Sequence, residues 1–129
     1  MPQGLLLFGH GARDPAWADP FRAVAARLQR ERPSLQVELA FLELMTPDLP
    51  AAAQALVARG CTRVRVVPLF LGTGGHVKRD LPRLVDELRA RHPQVAFELR
   101  APIGEHAAVI DAMAAAAAED LDRTGRETR

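Results

Sequence analysis

At 129 residues, with 48% hydrophobic and 26% charged side chains, the chain has the size and composition of one soluble globular domain. A domain of that size buries about two-thirds of its unfolded surface without staples. A formal net charge of +1 supplies no general attraction to nucleic acid or a membrane surface, and 5% aromatic residues leave few platforms for stacking bases. Cys61 is the single cysteine, which excludes an intrachain disulfide. The first apolar run, Leu5 to Phe8, is too short for a signal peptide or a membrane span, so the expected setting is cytoplasmic.

Gln3 to Gly9 reads as a short buried strand. Asp14-Pro15 then opens a helix with Trp17, Phe21, Val24 and Leu28 on one face at helical spacing, broken at Arg32-Pro33-Ser34. Val37, Leu39 and Phe41 alternate with Glu38 and Ala40, the pattern of a half-covered strand near a sheet edge, which ends at Leu42-Glu43. Thr46-Pro47-Asp48 caps a second helix that turns Leu49, Ala52, Ala53, Leu56 and Val57 inward and closes at Gly60. Thr62 to Leu71 is nearly continuously apolar, which suits a central parallel strand covered on both faces. Pro68 has no N–H for the ladder and is expected at a bulge or near that strand's end.

After this strand comes a loop with three glycines in four residues, Gly72-Thr73-Gly74-Gly75, which has almost no side chain to bury. It is expected to use glycine's freedom at positive φ. His76, Lys78 and Arg79 follow, and Asp80-Leu81-Pro82 reads as the cap and first turn of a third helix with Leu81, Leu84, Val85 and Leu88 inward, ending before His92-Pro93. Val95 to Leu99 is a fourth short strand. It leads through Ala101-Pro102-Ile103-Gly104 to a helix carrying Val109, Ile110, Met113 and Leu121. The expected domain is 1–121, a (βα)₄ unit with a four-stranded parallel sheet and helices on both faces, followed by a disordered tail over 122–129.

In a parallel sheet the C-terminal strand ends share one rim, where ligands of open α/β folds bind. Just past the four strands stand His10, Glu43, His76 and the pair Glu105-His106. Imidazole and carboxylate from adjacent strand ends can converge on a divalent metal with open positions, and neutral imidazole can also take protons from a bound ligand. Each residue has a plainer reading: His10 bonding a neighbouring turn, Glu43 solvated, His106 a bystander, His92 an exposed helix end, and Cys61 a small packed residue. Arg13, Lys78 and Arg79 could grip carboxylates or phosphates, or lie on the surface. Nucleotide readings fit poorly. Gly9-His10-Gly11-Ala12-Arg13-Asp14 has aspartate where the third glycine of a dinucleotide fingerprint belongs, and the later glycine loop lacks a Gly-Lys-Ser/Thr ending. A histidine phosphatase would also place His-Gly after its first strand, but Gly9 stands where its arginine is needed.

Three co-linear stretches carry a family resemblance: Leu7-Phe8-Gly9-His10-Gly11-Ala12-Arg13-Asp14-Pro15, Phe41-Leu42-Glu43, and Val66 to Leu71 with Gly74-Gly75-His76 and Asp80-Leu81-Pro82. The chain resembles the small class II tetrapyrrole chelatases of the sirohydrochlorin cobaltochelatase and ferrochelatase type, from about Leu5 to Ala118. The resemblance implies a flavodoxin-like chelatase domain that inserts Co²⁺ or Fe²⁺ (with Ni²⁺ as a further candidate) into sirohydrochlorin, in cobalamin or siroheme biosynthesis. No ATP or organic cofactor is expected. By position, His10 and His76 would bind metal and accept protons, with Glu43 as the carboxylate partner. Gly9, Gly11, Gly74 and Gly75 would let the flat macrocycle lie against backbone, and Arg13, Lys78 or Arg79 would meet its peripheral carboxylates. The family usually has serine after His-Gly, where this chain has Ala12. Longer relatives fuse two such domains, so a homodimer imitating the fused form is expected. A metal or tetrapyrrole carrier with the same site is the non-enzymatic alternative.

Overall fold

Val64 and Val66, the apolar centre of the third strand, are almost completely buried, as are Leu6 and Phe8 on the strand beside it. They belong to a four-stranded sheet in a computed structural model that describes residues 2–72 and 74–127, except the side chains of residues 120 and 122–127. The strands are β1 (Gln3–Gly9), β2 (Gln36–Phe41), β3 (Arg63–Pro68) and β4 (Ala96–Leu99), all parallel in the order β2-β1-β3-β4. Helices α1 (Asp19–Glu31), α2 (Leu49–Ala58) and α3 (Gly75–Arg91) make the crossovers that parallel strands require, and α4 (Ala107–Glu127) follows β4.

The register sorts the side chains onto two faces. Leu6 stands beside Val66 and Phe8 beside Pro68, and with Val64 and Phe97 they face α2 and α3. There they form one core with Leu56 from α2 and Val85 and Leu88 from α3. The core is closed at Gly4, where an added Cβ would lie 3.1 Å from Val64 and 3.3 Å from Leu56. Cys61 is 2% exposed in the same cluster, and burial pushes its thiol up against the opposing effect of Arg59. On the opposite face, Leu5 aligns with Val37, Leu7 with Leu39 and Gly9 with Phe41. The Trp17 ring covers this side, 6.4 Å from Phe41 and 4.8 Å from Phe21.

The edge position of β2, the inner position of β3 and Pro68 as the last residue of β3 match the sequence pattern. Asp48 caps α2 by accepting from the Ala51 amide at 2.9 Å. Four local features differ from expectation. Asp14-Pro15 opens a 3₁₀ turn, Pro15–Ala18, and α1 starts only at Asp19, where Pro20 suits a first turn that needs no N–H from it. Helix α3 begins at Gly75 rather than Asp80, because extended Gly74 acts as its cap and its carbonyl accepts from Lys78 at 3.1 Å. Pro82 therefore lies inside α3, where its missing N–H leaves the Lys78 carbonyl without the usual helical donor. His92 is a half-buried helix cap whose ring lies 6.1 Å from Phe97, not an exposed end.

The fourth difference is larger. Of the apolar residues of α4, only Val109 is half-buried, whereas Ile110, Met113 and Leu121 are 50%, 40% and 71% exposed. The neighbour of α4 is the 3₁₀ turn Ile103–Glu105 that precedes it, so this helix covers neither sheet face to any extent. Its backbone continues to Glu127, while the side chains over 122–129 lie outside the described residues.

The core assignment predicts that Leu56→Ala lowers stability by about 2–5 kcal/mol, because the side chain is fully enclosed and leaves a cavity. Val24→Ala, at a side chain that shares a face of α1 with Phe21 and Leu28 but is left 43% exposed, stays within about 0.5 kcal/mol of wild type. Urea unfolding midpoints at unchanged slope read both.

Candidate functional site

The ladder between β1 and β2 does not stop where the strands do. Past their ends the Leu42 amide donates to the Gly9 carbonyl at 2.9 Å, and the Glu43 amide donates to the His10 carbonyl at 3.1 Å. These two bonds place the first residues beyond each strand side by side. His10 Nε2 and Glu43 Oε1 are consequently 3.0 Å apart at the C-terminal rim of the sheet. The His10 ring is also supported from below by Phe70, edge-on at 6.2 Å, whose own ring packs against Phe8 at 6.1 Å.

Gly11 makes this approach sterically allowed. Its φ is +98°, and a Cβ there would lie 1.8 Å from the Glu43 carbonyl oxygen. Any side chain at this position would push the Glu43 loop off the rim. The opposing loop adjusts as well: Leu44 has φ +65°, Met45 N–H donates to the Glu43 carbonyl at 2.8 Å, and the Thr46–Pro47 peptide is cis. Gly9 is less constrained, since a Cβ would make ordinary contacts at 3.5 Å with Trp17 and 3.6 Å with Phe41.

The pair is open to solvent, with the side chains 47% and 56% exposed. A neutral imidazole that donates from Nε2 to the carboxylate keeps a lone pair on Nδ1. The same two groups can share a proton or take a cation in its place. His10 and Glu43 thus come together as the strand order suggests. His76 is exposed in the first turn of α3, and among the described residues no group of three His, Cys, Asp or Glu side chains is arranged to hold a metal.

The glycines after β3 work differently from expectation. Gly72, Gly74 and Gly75 have no positive φ, and an added Cβ at any of them would meet nothing within 4 Å. They leave open space at the rim instead of permitting a forbidden turn. Arg13 and Lys78 are exposed, and the Arg79 side chain folds back to donate to the Gly75 carbonyl at 3.2 Å. Lys78 also borders a small cleft of about 180 Å³ with Arg100 and Glu105 on the far side. His106 is occupied structurally, its Nδ1 accepting from the Ala108 amide at 3.2 Å at the start of α4.

Two contributors were hidden in the sequence. Phe70 reads there as one more apolar strand residue, although it supports the His10 ring. Gly104 lies so close to the backbone after β3 that a Cβ would be 2.1 Å from the Leu71 carbonyl oxygen, and its amide donates to Phe70 O at 2.9 Å. Its place in an Ala-Pro-Ile-Gly turn gave a signal for a bend, but none for that partner.

A parallel α/β domain with an imidazole–carboxylate pair on its C-terminal rim defines the class of protein. The chain belongs to the CbiX family, whose model matches residues 4–120. It is 34% identical over 105 residues to a sirohydrochlorin cobaltochelatase of Priestia megaterium, covering 81% of this chain and 34% of the relative. It is likewise 34% identical over 116 residues to a sirohydrochlorin ferrochelatase of Bacillus subtilis (strain 168), covering 88% and 43%. The chain thus spans well under half the length of these curated relatives. Among solved structures, it superimposes with a TM-score of 0.83 and 30% identity on a CbiX protein from Marinobacter aquaeolei VT8 ascribed to cobalamin (vitamin B12) biosynthesis, covering 95% of this chain and 99% of that one. The sirohydrochlorin chelatase SirB of Bacillus subtilis subspecies spizizenii, in complex with cobalt, gives 0.71 at 31% identity, covering 80% and 44%. SirB from Bacillus subtilis with Fe³⁺ gives 0.74 at 32%, covering 87% and 44%.

The steric role of Gly11 predicts that Gly11→Ala displaces Glu43 and weakens Co²⁺ binding about 10- to 100-fold, as loss of a ligand-orienting contact does. Gly74→Ala, which has open space around it, leaves binding unchanged. Calorimetric titration of the two variants with Co²⁺ measures the difference.

Proposed function

We propose that this domain inserts a divalent metal, Co²⁺ or Fe²⁺, into a sirohydrochlorin-type tetrapyrrole without ATP or an organic cofactor. The observation that carries the reading is the His10–Glu43 pair, 3.0 Å apart on the open rim, in a chain whose relatives are named for that reaction. In this reading His10, Glu43 and His76 hold the metal as substrate, and the two histidines accept protons. The chemistry demands both tasks, since two macrocycle N–H protons must leave as the metal enters. A metal held loosely by few ligands passes readily to four convergent nitrogens. Gly9, Gly11, Gly74 and Gly75 form the backbone surface beside which the flat ring lies. Arg13, Lys78 and Arg79 pair with its carboxylates.

Cobalt and iron are favoured because SirB structures hold them, and Ni²⁺ is compatible with the same nitrogen and oxygen donors. Among the described residues no helix is long and apolar enough to cross a membrane, which agrees with a cytoplasmic enzyme that receives its substrates from solution. The exposed apolar residues of α4 support action as a homodimer.

The test is anaerobic absorbance of sirohydrochlorin with Co²⁺, run without protein, with wild type, and with His10→Ala and His76→Ala variants. Wild type is expected to accelerate conversion, and His10→Ala to lose about 100-fold or more of that rate. Traces that overlap while tetrapyrrole still binds would identify a carrier instead. No binding at all would direct attention to phosphate esters and histidine phosphatase chemistry.

A further inference from the structure

Two large apolar side chains stand exposed on the rim that carries His10 and Glu43: Leu44 at 60% and Leu71 at 68%. The other large exposed apolar residues among those described lie on helices, Val24 on α1 and Ile110, Met113 and Leu121 on α4. A single exposed leucine is ordinary and calls for no explanation. These two differ in how the backbone holds them.

Leu44 is the centre of a tight turn. The Met45 N–H donates to the Glu43 carbonyl at 2.8 Å across it, and its φ is +65°. That combination is a three-residue γ-turn in its strained form, which a residue with a Cβ rarely adopts. Seating Glu43 against Gly11 calls for a turn here, but it does not call for leucine. Glycine or asparagine takes this φ with less strain. The side chain gains little inside the domain, so the strain is kept for a contact outside the chain. Leu71 is fixed in another way. Gly104 lies so close that a Cβ there would be 2.1 Å from the Leu71 carbonyl oxygen, and the Gly104 amide donates to the Phe70 carbonyl at 2.9 Å. The Leu71 backbone is pinned while its side chain stays in water.

The order β2-β1-β3 puts Leu44, just past β2, and Leu71, just past β3, on opposite sides of His10. The strands that carry the two leucines are about 10 Å apart, with the His10 strand between them. Exposed Arg13 and Lys78 follow in the loop after β1 and the first turn of α3. A ligand that matches this pattern has apolar faces, a centre that binds metal and carboxylates at its edge. A tetrapyrrole with carboxylate side chains has all three. We propose that Leu44 and Leu71 are the apolar contacts on which one face of the macrocycle rests, one on each side of His10. This rests on the chelatase reading above and adds two substrate-contact residues to it. Packing against two backbone-fixed leucines locates the flat ring over the rim, and the cations then meet its edge.

The test is an anaerobic absorbance titration with sirohydrochlorin and no metal, on wild type, Leu44→Asn, Leu71→Asn, Leu44→Met and Leu71→Met. Each asparagine variant is expected to bind about 10-fold more weakly, because the apolar area that the ring would cover is lost. The methionine variants, apolar and of similar volume, should keep wild-type affinity. Asparagine accepts a positive φ, so Leu44→Asn should hold or raise the urea midpoint, opposite in sense to its loss of affinity. Calorimetric titration with Co²⁺ alone should match wild type in all four variants. Asparagine variants that bind sirohydrochlorin as wild type does overturn the contacts and leave the chelatase reading intact. Co²⁺ affinity that falls in parallel also overturns them, since the leucines then act through the position of Glu43. A wild type that binds no sirohydrochlorin overturns the chelatase reading and the contacts with it.

Discussion

The site depends on two backbone hydrogen bonds made where the sheet has formally ended, Leu42 to Gly9 and Glu43 to His10. They extend the β1–β2 ladder by enough to align His10 with Glu43, whose side chains meet at 3.0 Å. The extension is sterically feasible only because position 11 has no Cβ. Backbone pairing and steric exclusion, not charge attraction, therefore bring His10 and Glu43 together. An exposed pair is weakly stabilising by itself, since water screens it and both side chains lose freedom. The scaffold supplies the ordering that the pair by itself could not.

The core explains why that rim can be held in place. Phe8 connects the two regions: its side chain lies in the cluster shared with α2 and α3, and its ring touches Phe70, which in turn supports His10. A packed interior of this kind transmits position because its side chains have few alternative arrangements. On the other side of the rim the glycines around residue 74 contribute room. A Cβ added at Gly72, Gly74 or Gly75 would meet no atom within 4 Å. Constraint at Gly11 and openness at Gly74 are different uses of one amino acid. The sign of φ and the distance to the nearest atom tell them apart.

Much of the fold was legible because it follows from periodicity and punctuation. Alternation in Val37–Phe41 announced a half-covered edge strand, and the apolar run through Val64 and Val66 announced an inner one. Asp48 and Gly60 bounded α2 as capping rules require. Asp80-Leu81-Pro82 misled for a physical reason. A capping pattern is local, whereas the true start at Gly75 is set by the conformation of Gly74 at the end of the rim loop. Pro82 is compatible with a helix interior when its exposed position lets water reach the freed carbonyl turn. The residues after Gly104 announced a helix carrying Val109, Ile110, Met113 and Leu121. Apolar residues in a helix do not say whether a surface of the same domain covers them, and here Ile110, Met113 and Leu121 stay exposed.

The sequence by itself determined the order of strands and helices, the burial of β1 and β3, and the delivery of histidine and glutamate to strand ends. These depend on neighbours a few residues apart, which hydrophobic period and turn chemistry encode directly. The pairing of His10 with Glu43, the support from Phe70 and the close fit of Gly104 on Leu71 were decided only by tertiary structure. Each joins segments from about thirty to sixty residues apart. Such contacts are fixed by register and the direction of the chain at the rim, and a residue's type says nothing of where its distant partner will be.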